Sequence, residues 1–389
     1  MTNIDRWQLP DGVEEVLPTQ AAGLERLRRQ LLDLYRSWGY QLVIPPLMEF
    51  TESLLIGMGA DIDLLTFKMT DQLSGRTLGI RADITPQVAR IDAHSLAQEG
   101  TSRLCYAGST LNTRPKTLMA SRTPIQLGAE LYGDESLAAD LEIIRLMLET
   151  LHVAGLKKLS LDLGHVGVYK AVISEAGLDE EQERTVFDAL QRKSVPDLEV
   201  ALIDAAPEFR QLIIALAGLH GPEQVLDEAR GLLGHRAPAA IAAIDTLADA
   251  AAEIRALHPE LNIYFDLSEL RGYHYHTGIV FAAYVPGHGQ ALANGGRYND
   301  VGAVFGRARP ATGFATDLKA LMNLLPAQPQ EPAAISAPDC TSSQPGLREK
   351  VNELRGQGEI VISTLAAQAD PRCNRELVLS SGEWNVQKI

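Results

Sequence analysis

The segment Thr123-Pro-Ile-Gln-Leu-Gly-Ala-Glu-Leu-Tyr132 carries the residues most able to hold a small polar ligand. Its alternation predicts a strand with Ile125, Leu127, Ala129 and Leu131 on one face and Gln126, Gly128, Glu130 and Tyr132 on the other. Gln126 and Glu130 then stand about 13 Å apart along the strand, by its rise per residue. The side-chain-free Gly128 between them leaves space for a ligand, and the carboxylate suits an ammonium group. Taken alone, such a face reads more readily as an ordinary solvated one. A second segment, Leu270-Arg-Gly-Tyr-His-Tyr-His-Thr-Gly278, packs an arginine, two tyrosines and two histidines around glycines. Arg271 there can hold a carboxylate bidentately, while Tyr273, Tyr275 and His276 can wall a pocket. A third, Gly79 to Gln87, adds Asp83 and Thr85 just after a strand. No cluster of Asp, Cys or His accompanies His274 and His276, so no metal is expected. The P-loop, the dinucleotide-binding glycine motif, HExxH and GxSxG are all missing, and no cofactor is expected.

The elements that must position these residues follow from periodicity. Leu24, Leu27, Leu31, Leu34 and Trp38 mark one face of a helix over 19–38, which Gly39 stops before a strand over 40–44 that ends at Pro45-Pro46. A hairpin is expected over 64–80 around Ser74-Gly75, then two strands within 103–132 and a helix over 134–154. After a strand at 159–163, residues 165–258 are Ala-, Leu- and Glu-rich with helical spacing, and read as a helical insertion. Strands resume at 261–267 and 278–285. A last core helix is expected from about Gly313 to Leu325, with Phe314, Leu318, Leu321 and Leu325 on one face. The expected organisation is a core over 1–326, a Pro-, Ala-, Ser- and Gln-rich linker over 327–345, and a small α+β cap over 346–389.

With 389 residues, 46% of them apolar, the chain can fill a real core and form two or three domains. A net charge of −15 argues against a nucleic-acid partner, whose phosphates reward Lys and Arg. Residues 1–18 lack the apolar run of a signal peptide, and no uncharged apolar stretch of about 18 residues exists, so no membrane span is expected. Three scattered cysteines fit neither a disulfide framework nor a CxxC site; a cytoplasmic location is expected.

Together the segments resemble the class II aminoacyl-tRNA synthetases, specifically histidyl-tRNA synthetase, over roughly residues 5–325. The helix–strand–proline unit ending at Pro46 is similar to the first class II motif, which builds that family's dimer interface. Arg81 to Thr85 resembles Arg-Pro-Glu-Gly-Thr, with Asp83 in place of glutamate. Gln126-Leu-Gly-Ala-Glu130 resembles the family's histidine-binding strand, and residues 270–278 its Arg-Gly-Leu-Asp-Tyr-Tyr-Thr-Gly. Asn294-Gly-Gly-Arg-Tyr298 and Thr312-Gly-Phe-Ala315 fit the glycine-rich stretch and third motif. The implied fold is α+β, a synthetase-like antiparallel sheet flanked by helices. The implied ligand set is Asp83, Thr85, Gln126, Glu130, Arg271 and Tyr275, with Arg114, Tyr273 and His276 as possible additions.

Two departures bear on function. Where the family has ATP-gripping arginines, this chain has Asn112 and Ala320, with Asp317 in place of a glycine; Arg114 is the nearby basic residue that could substitute. The anticodon-binding domain is also reduced to a remnant. Retained histidine contacts with lost ATP arginines resemble the regulatory subunits of ATP phosphoribosyltransferase. That resemblance implies a catalytically silent chain that partners the short-form catalytic subunit in the first step of histidine biosynthesis. It implies a homodimer within a hetero-octamer, with histidine as feedback effector. The alternative is a divergent histidyl-tRNA synthetase or another amino-acid-activating enzyme.

Overall fold

The computed structural model describes residues 7–55, 60–115, 120–234, 236–270, 272–273, 275–325, 333–339, 344–364 and 370–389. The chain divides into two compact units, residues 1–16 with 21–325 and residues 17–20 with 326–389. In chain order the strands of the first unit are β1 (Gln41–Leu42), β2 (Met48–Phe50), β3 (Phe67–Thr70), β4 (Thr77–Ile80), β5 (Ser102–Ser109), β6 (Ile125–Tyr132), β7 (Ser160–His165), β8 (His220–Gly221), β9 (Asn262–Asp266), β10 (Ile279–Tyr284), β11 (Ala293–Arg297) and β12 (Ala311–Asp317). Nine of them form one sheet in the order β1-β5-β6-β12-β11-β10-β7-β9-β8, and β2-β4-β3 form a small antiparallel one. From β5 to β7 every neighbouring pair is antiparallel. The α+β class, the antiparallel sheet and the flanking helices are as expected.

The helix Pro18–Ser37 buries Leu24, Leu27 and Leu31 of the expected face, which continues through Tyr35, with Leu34 and Trp38 partly buried beside it. The helix Leu137–Val153 likewise buries Ile143, Ile144, Met147 and Leu151. Both stripes, with Leu127, Ala129 and Leu131 of β6, belong to one large core. Between β7 and β9 run six helices, from Val166–Ala176 to Pro238–Leu257, interrupted by the two-residue β8 that joins the main sheet. The insertion is therefore helical except at that edge.

Two expectations change. The stretch from Gly313 is not helical at its start: Ala311–Asp317 is β12, between β6 and β11 in the sheet, and the helix covers only Leu318–Leu324. Asp317 caps that helix, its carboxylate accepting from Lys319 N at 3.0 Å and from Ile125 N at 3.1 Å. The stretch read as linker contains a strand, β13 (Ala334–Ala337). In the second unit it pairs with β14 (Val361–Ser363) and β15 (Cys373–Ser380), and β16 (Glu383–Lys388) completes an order β14-β13-β15-β16. Ile335, Ala337, Val351, Leu377 and Trp384 make its core. Small residues at Ala334 and Ala337 look like linker composition yet are fully buried there.

Candidate functional site

One glycine on the adjacent strand clears the space beside a buried carboxylate. Glu130 on β6 faces Gly313 on β12 in register, and a methyl group at Gly313 would run into the Glu130 carboxylate. Glu130 is 1% exposed. The Tyr106 hydroxyl donates to one of its oxygens at 3.0 Å and the Tyr298 hydroxyl to the other at 2.5 Å. Tyr298 also lies 3.2 Å from the Tyr132 hydroxyl, and its ring stacks on Tyr275 at 4.7 Å. Burial pushes the Glu130 carboxyl up to about 8, against the lowering pull of the hydroxyls, and the nearby Asp83 charge adds to the rise. Four tyrosines gathered about one buried acid suit a cationic group.

Gln126 and Asp83 are tied together. The Gln126 amide donates to Asp83 at 2.8 Å and accepts from Ile84 N at 2.9 Å, while Thr85 N donates to the same Asp83 oxygen at 2.9 Å. Thr85 then sits 3.1 Å from the Tyr106 hydroxyl, closing a chain from Asp83 to Glu130. A cavity of about 510 Å³ opens on this group, lined by Asp83, Thr85, Glu130, Tyr273, Tyr275, His276, Asn294 and Tyr298, with Arg184, Phe187, Asp188 and Gln191 from the helix Glu180–Gln191. That volume lies in the usual range of small-molecule sites.

Six sequence candidates, Asp83, Thr85, Glu130, Tyr273, Tyr275 and His276, thus share one cavity. Gln126 is not on its wall but hydrogen-bonds Asp83, which is. Arg271 and His274 lie outside the described residues. Arg114 is exposed and does not line the cavity. Gly128 is a correction: the gap there is filled, because Tyr106 stands opposite it on β5. A Cβ at Gly128 would come 2.5 Å from the Tyr106 hydroxyl and 2.5 Å from the Phe314 carbonyl. Gly128→Ala is therefore expected to destabilise the core by about 3 kcal/mol, at the upper end for an overpacked site, measured by urea unfolding. An unchanged midpoint would show that Tyr106 can move aside.

His276 is held between Gly272 and Gly296, whose missing side chains admit its ring, and burial lowers its pKa to about 4, so it faces the cavity neutral. The Tyr275 hydroxyl is buried with no hydrogen-bond partner among the described residues. Two arginines of the matching segments are structural. Arg81 donates to the Ser109 and Pro45 carbonyls at 2.9 and 2.8 Å. Arg297 is buried against Asp140 at 3.0 Å and the Asp134 carbonyl at 2.9 Å. Asn112 is 1% exposed, and its side-chain amide has no hydrogen-bond partner among the described residues. Among those residues no group of three or more His, Cys, Asp or Glu could hold a metal ion. No described helix is long and apolar enough to cross a membrane.

Sequence reasoning missed Tyr106, Tyr298 and the four residues of the inserted helix. Tyr298 was within reach, because it ends the glycine-rich segment. Arg184 and its neighbours carry no local signal, since only the chain path brings that helix to the cavity.

A family profile described as "Histidyl-tRNA synthetase" matches residues 12–321, and one described as "ATP phosphoribosyltransferase subunit HisZ C-terminal domain" matches residues 332–387. The ATP phosphoribosyltransferase regulatory subunit of Thioalkalivibrio sulfidiphilus is 53% identical over 400 residues, covering 100% of both chains. The solved ATP phosphoribosyltransferase regulatory subunit/histidyl-tRNA synthetase of Bacillus halodurans superposes with a TM-score of 0.82 at 26% identity, over 94% of each chain. A chain of the ATP phosphoribosyl transferase (HisG:HisZ) complex of Thermotoga maritima shares the fold, with a TM-score of 0.58 at 16% identity over 75% of this chain and 96% of that one. With its whole length matched at that identity, and with a synthetase-like core ending in the short four-stranded unit, the chain belongs to the ATP phosphoribosyltransferase regulatory subunits.

Proposed function

We propose that this chain activates the short-form catalytic subunit of ATP phosphoribosyltransferase and carries histidine feedback to it through the Glu130 cavity. The observation that carries the proposal is the buried, doubly hydrogen-bonded Glu130 lining a cavity of about 510 Å³, in the strand that resembles the histidine-binding one. In this reading Glu130, Asp83 and Thr85 take the ligand's amino and imidazole groups, and Gln126 holds Asp83 in place. Arg271 takes its carboxylate, and Tyr275 lines the pocket. A ligand that binds one state of the assembly better than the other shifts the population of both.

The working assembly is a hetero-octamer containing homodimers of this chain. Leu42, Ile44, Leu47 and Met48, 49%, 85%, 53% and 52% exposed around Pro45-Pro46, support a dimer at the unit that resembles the first class II motif. A cytoplasmic home fits the free thiols of Cys105 and Cys373. Histidine titrated against the reconstituted complex tests the proposal. Phosphoribosyl transfer is expected to rise when this chain is added, and to fall with histidine only in its presence. Equal histidine inhibition of the catalytic chains alone would move the effector site onto them.

A further inference from the structure

The cavity lining carries two acids of the core, Glu130 and Asp83, together with Arg184, Phe187, Asp188 and Gln191 from the helical insertion. Among the described lining residues Arg184 is the one cation, since His276 is held neutral by burial. Arg184 takes part in none of the ion pairs formed between described residues, although Asp188 lies one turn further along the same helix. Its helix is fixed to the pocket wall. The Tyr273 hydroxyl donates to Glu183 at 3.2 Å, and the Phe187 and Tyr273 rings lie 5.2 Å apart. The Asp179 capping box sets the start of the helix, so Arg184 is presented from its second turn rather than from a loose end. A zwitterion offers a positive end to Glu130 and Asp83 and a negative end to Arg184, and guanidinium is the side chain best shaped for a carboxylate.

We propose that Arg184 receives the carboxylate of the amino-acid ligand, so that occupancy of the cavity is sensed directly by the inserted helix Glu180–Gln191. The inference rests on the cavity being the histidine site. Arg184 is a specificity residue here, discriminating amino acids from the corresponding amines and alcohols. It adds a contact from the insertion to the one assigned to Arg271.

The test compares L-histidine with L-histidinol, which keeps the amine and imidazole and lacks the carboxylate, by calorimetric titration of the full-length protein. Arg184→Gln is expected to weaken L-histidine about tenfold and leave L-histidinol unchanged, as the loss of one partly solvated charge-assisted contact requires. Arg184→Lys should recover part of that preference. Equal weakening of both ligands would reduce Arg184 to packing the helix, and an unchanged L-histidine affinity would place the carboxylate elsewhere; either overturns the inference. If the unsubstituted protein binds neither ligand, the histidine reading of the cavity falls and this one with it.

Discussion

Glu130→Gln is expected to weaken L-histidine binding about 100-fold while the chain still folds and still activates the catalytic subunit. Truncating one partner of a buried charge pair removes roughly 2–5 kcal/mol of binding, and 100-fold lies inside that range. The isosteric amide keeps the shape beside Tyr106 and Tyr298, so folding is spared. The same carboxyl fixes a pH dependence. Its pKa is raised to about 8 in the empty site, so near neutrality most of it holds a proton. An arriving ammonium favours the ionised form, and binding must release that proton. Affinity therefore climbs about fivefold from pH 7 to pH 8 and flattens above, until the ligand's own ammonium titrates. The slope disappears in Glu130→Gln. Stability runs the other way. An acid whose folded pKa lies above its unfolded one stabilises the fold at low pH and loses that contribution as pH rises from about 4.5 to about 8. The melting temperature of Glu130→Gln should accordingly gain on the unsubstituted protein across that window. Titrations at several pH values, with parallel thermal melts, measure both; a pH-independent affinity, or one with equal slope in the variant, would exclude Glu130 from the ligand's cation.

The legible part of the site was what one strand can encode. Alternation put Glu130 on the face opposite Leu127, Ala129 and Leu131, and those three did go to the large core. Gly128 misled because the gap left by a glycine can be filled from the neighbouring strand. Tyr106 lies on β5, and its register opposite Gly128 depends on pairing that no single segment specifies. The same limit hid β12. Phe314, Leu318 and Leu321 keep helical spacing although the first lies on a strand and the others on the helix that follows, with Asp317 capping the join. In the second unit, Ala334 and Ala337 gave no hydrophobic signal because small residues suffice where β13 is flanked by two strands. Arg184 was the least legible, being 54 residues from Glu130 in sequence and brought near only by the fold of the insertion.

Histidine-dependent exchange of pyrophosphate into ATP is expected to be undetectable for this chain. Each positioned cation at a reacting phosphate accounts for about 10²–10³ in rate, so losing two costs roughly 10⁴ or more when they act independently. The structure explains why nearby groups do not replace them. Asn112 is sealed in the interior, its backbone carbonyl accepting from Arg122 Nε at 3.0 Å. Arg122 is also bound to the Asp11 carbonyl at 3.0 Å and lies 5.5 Å over the Phe67 ring, so its guanidinium is committed. Arg114 is exposed and off the cavity wall. Asp317 occupies the start of the helix that bears Ala320, spending its carboxylate on the backbone amides of Ile125 and Lys319. An arginine restored at Ala320 would therefore project from a helix whose N-cap is already a partly buried acid. Ala320→Arg, alone or with Asn112→Arg, is expected to leave exchange undetected, and histidine-dependent exchange by the unsubstituted protein would overturn the regulatory reading. Under that reading the cavity needs only to bind and report, which asks for no phosphate chemistry beside the Glu130 carboxylate.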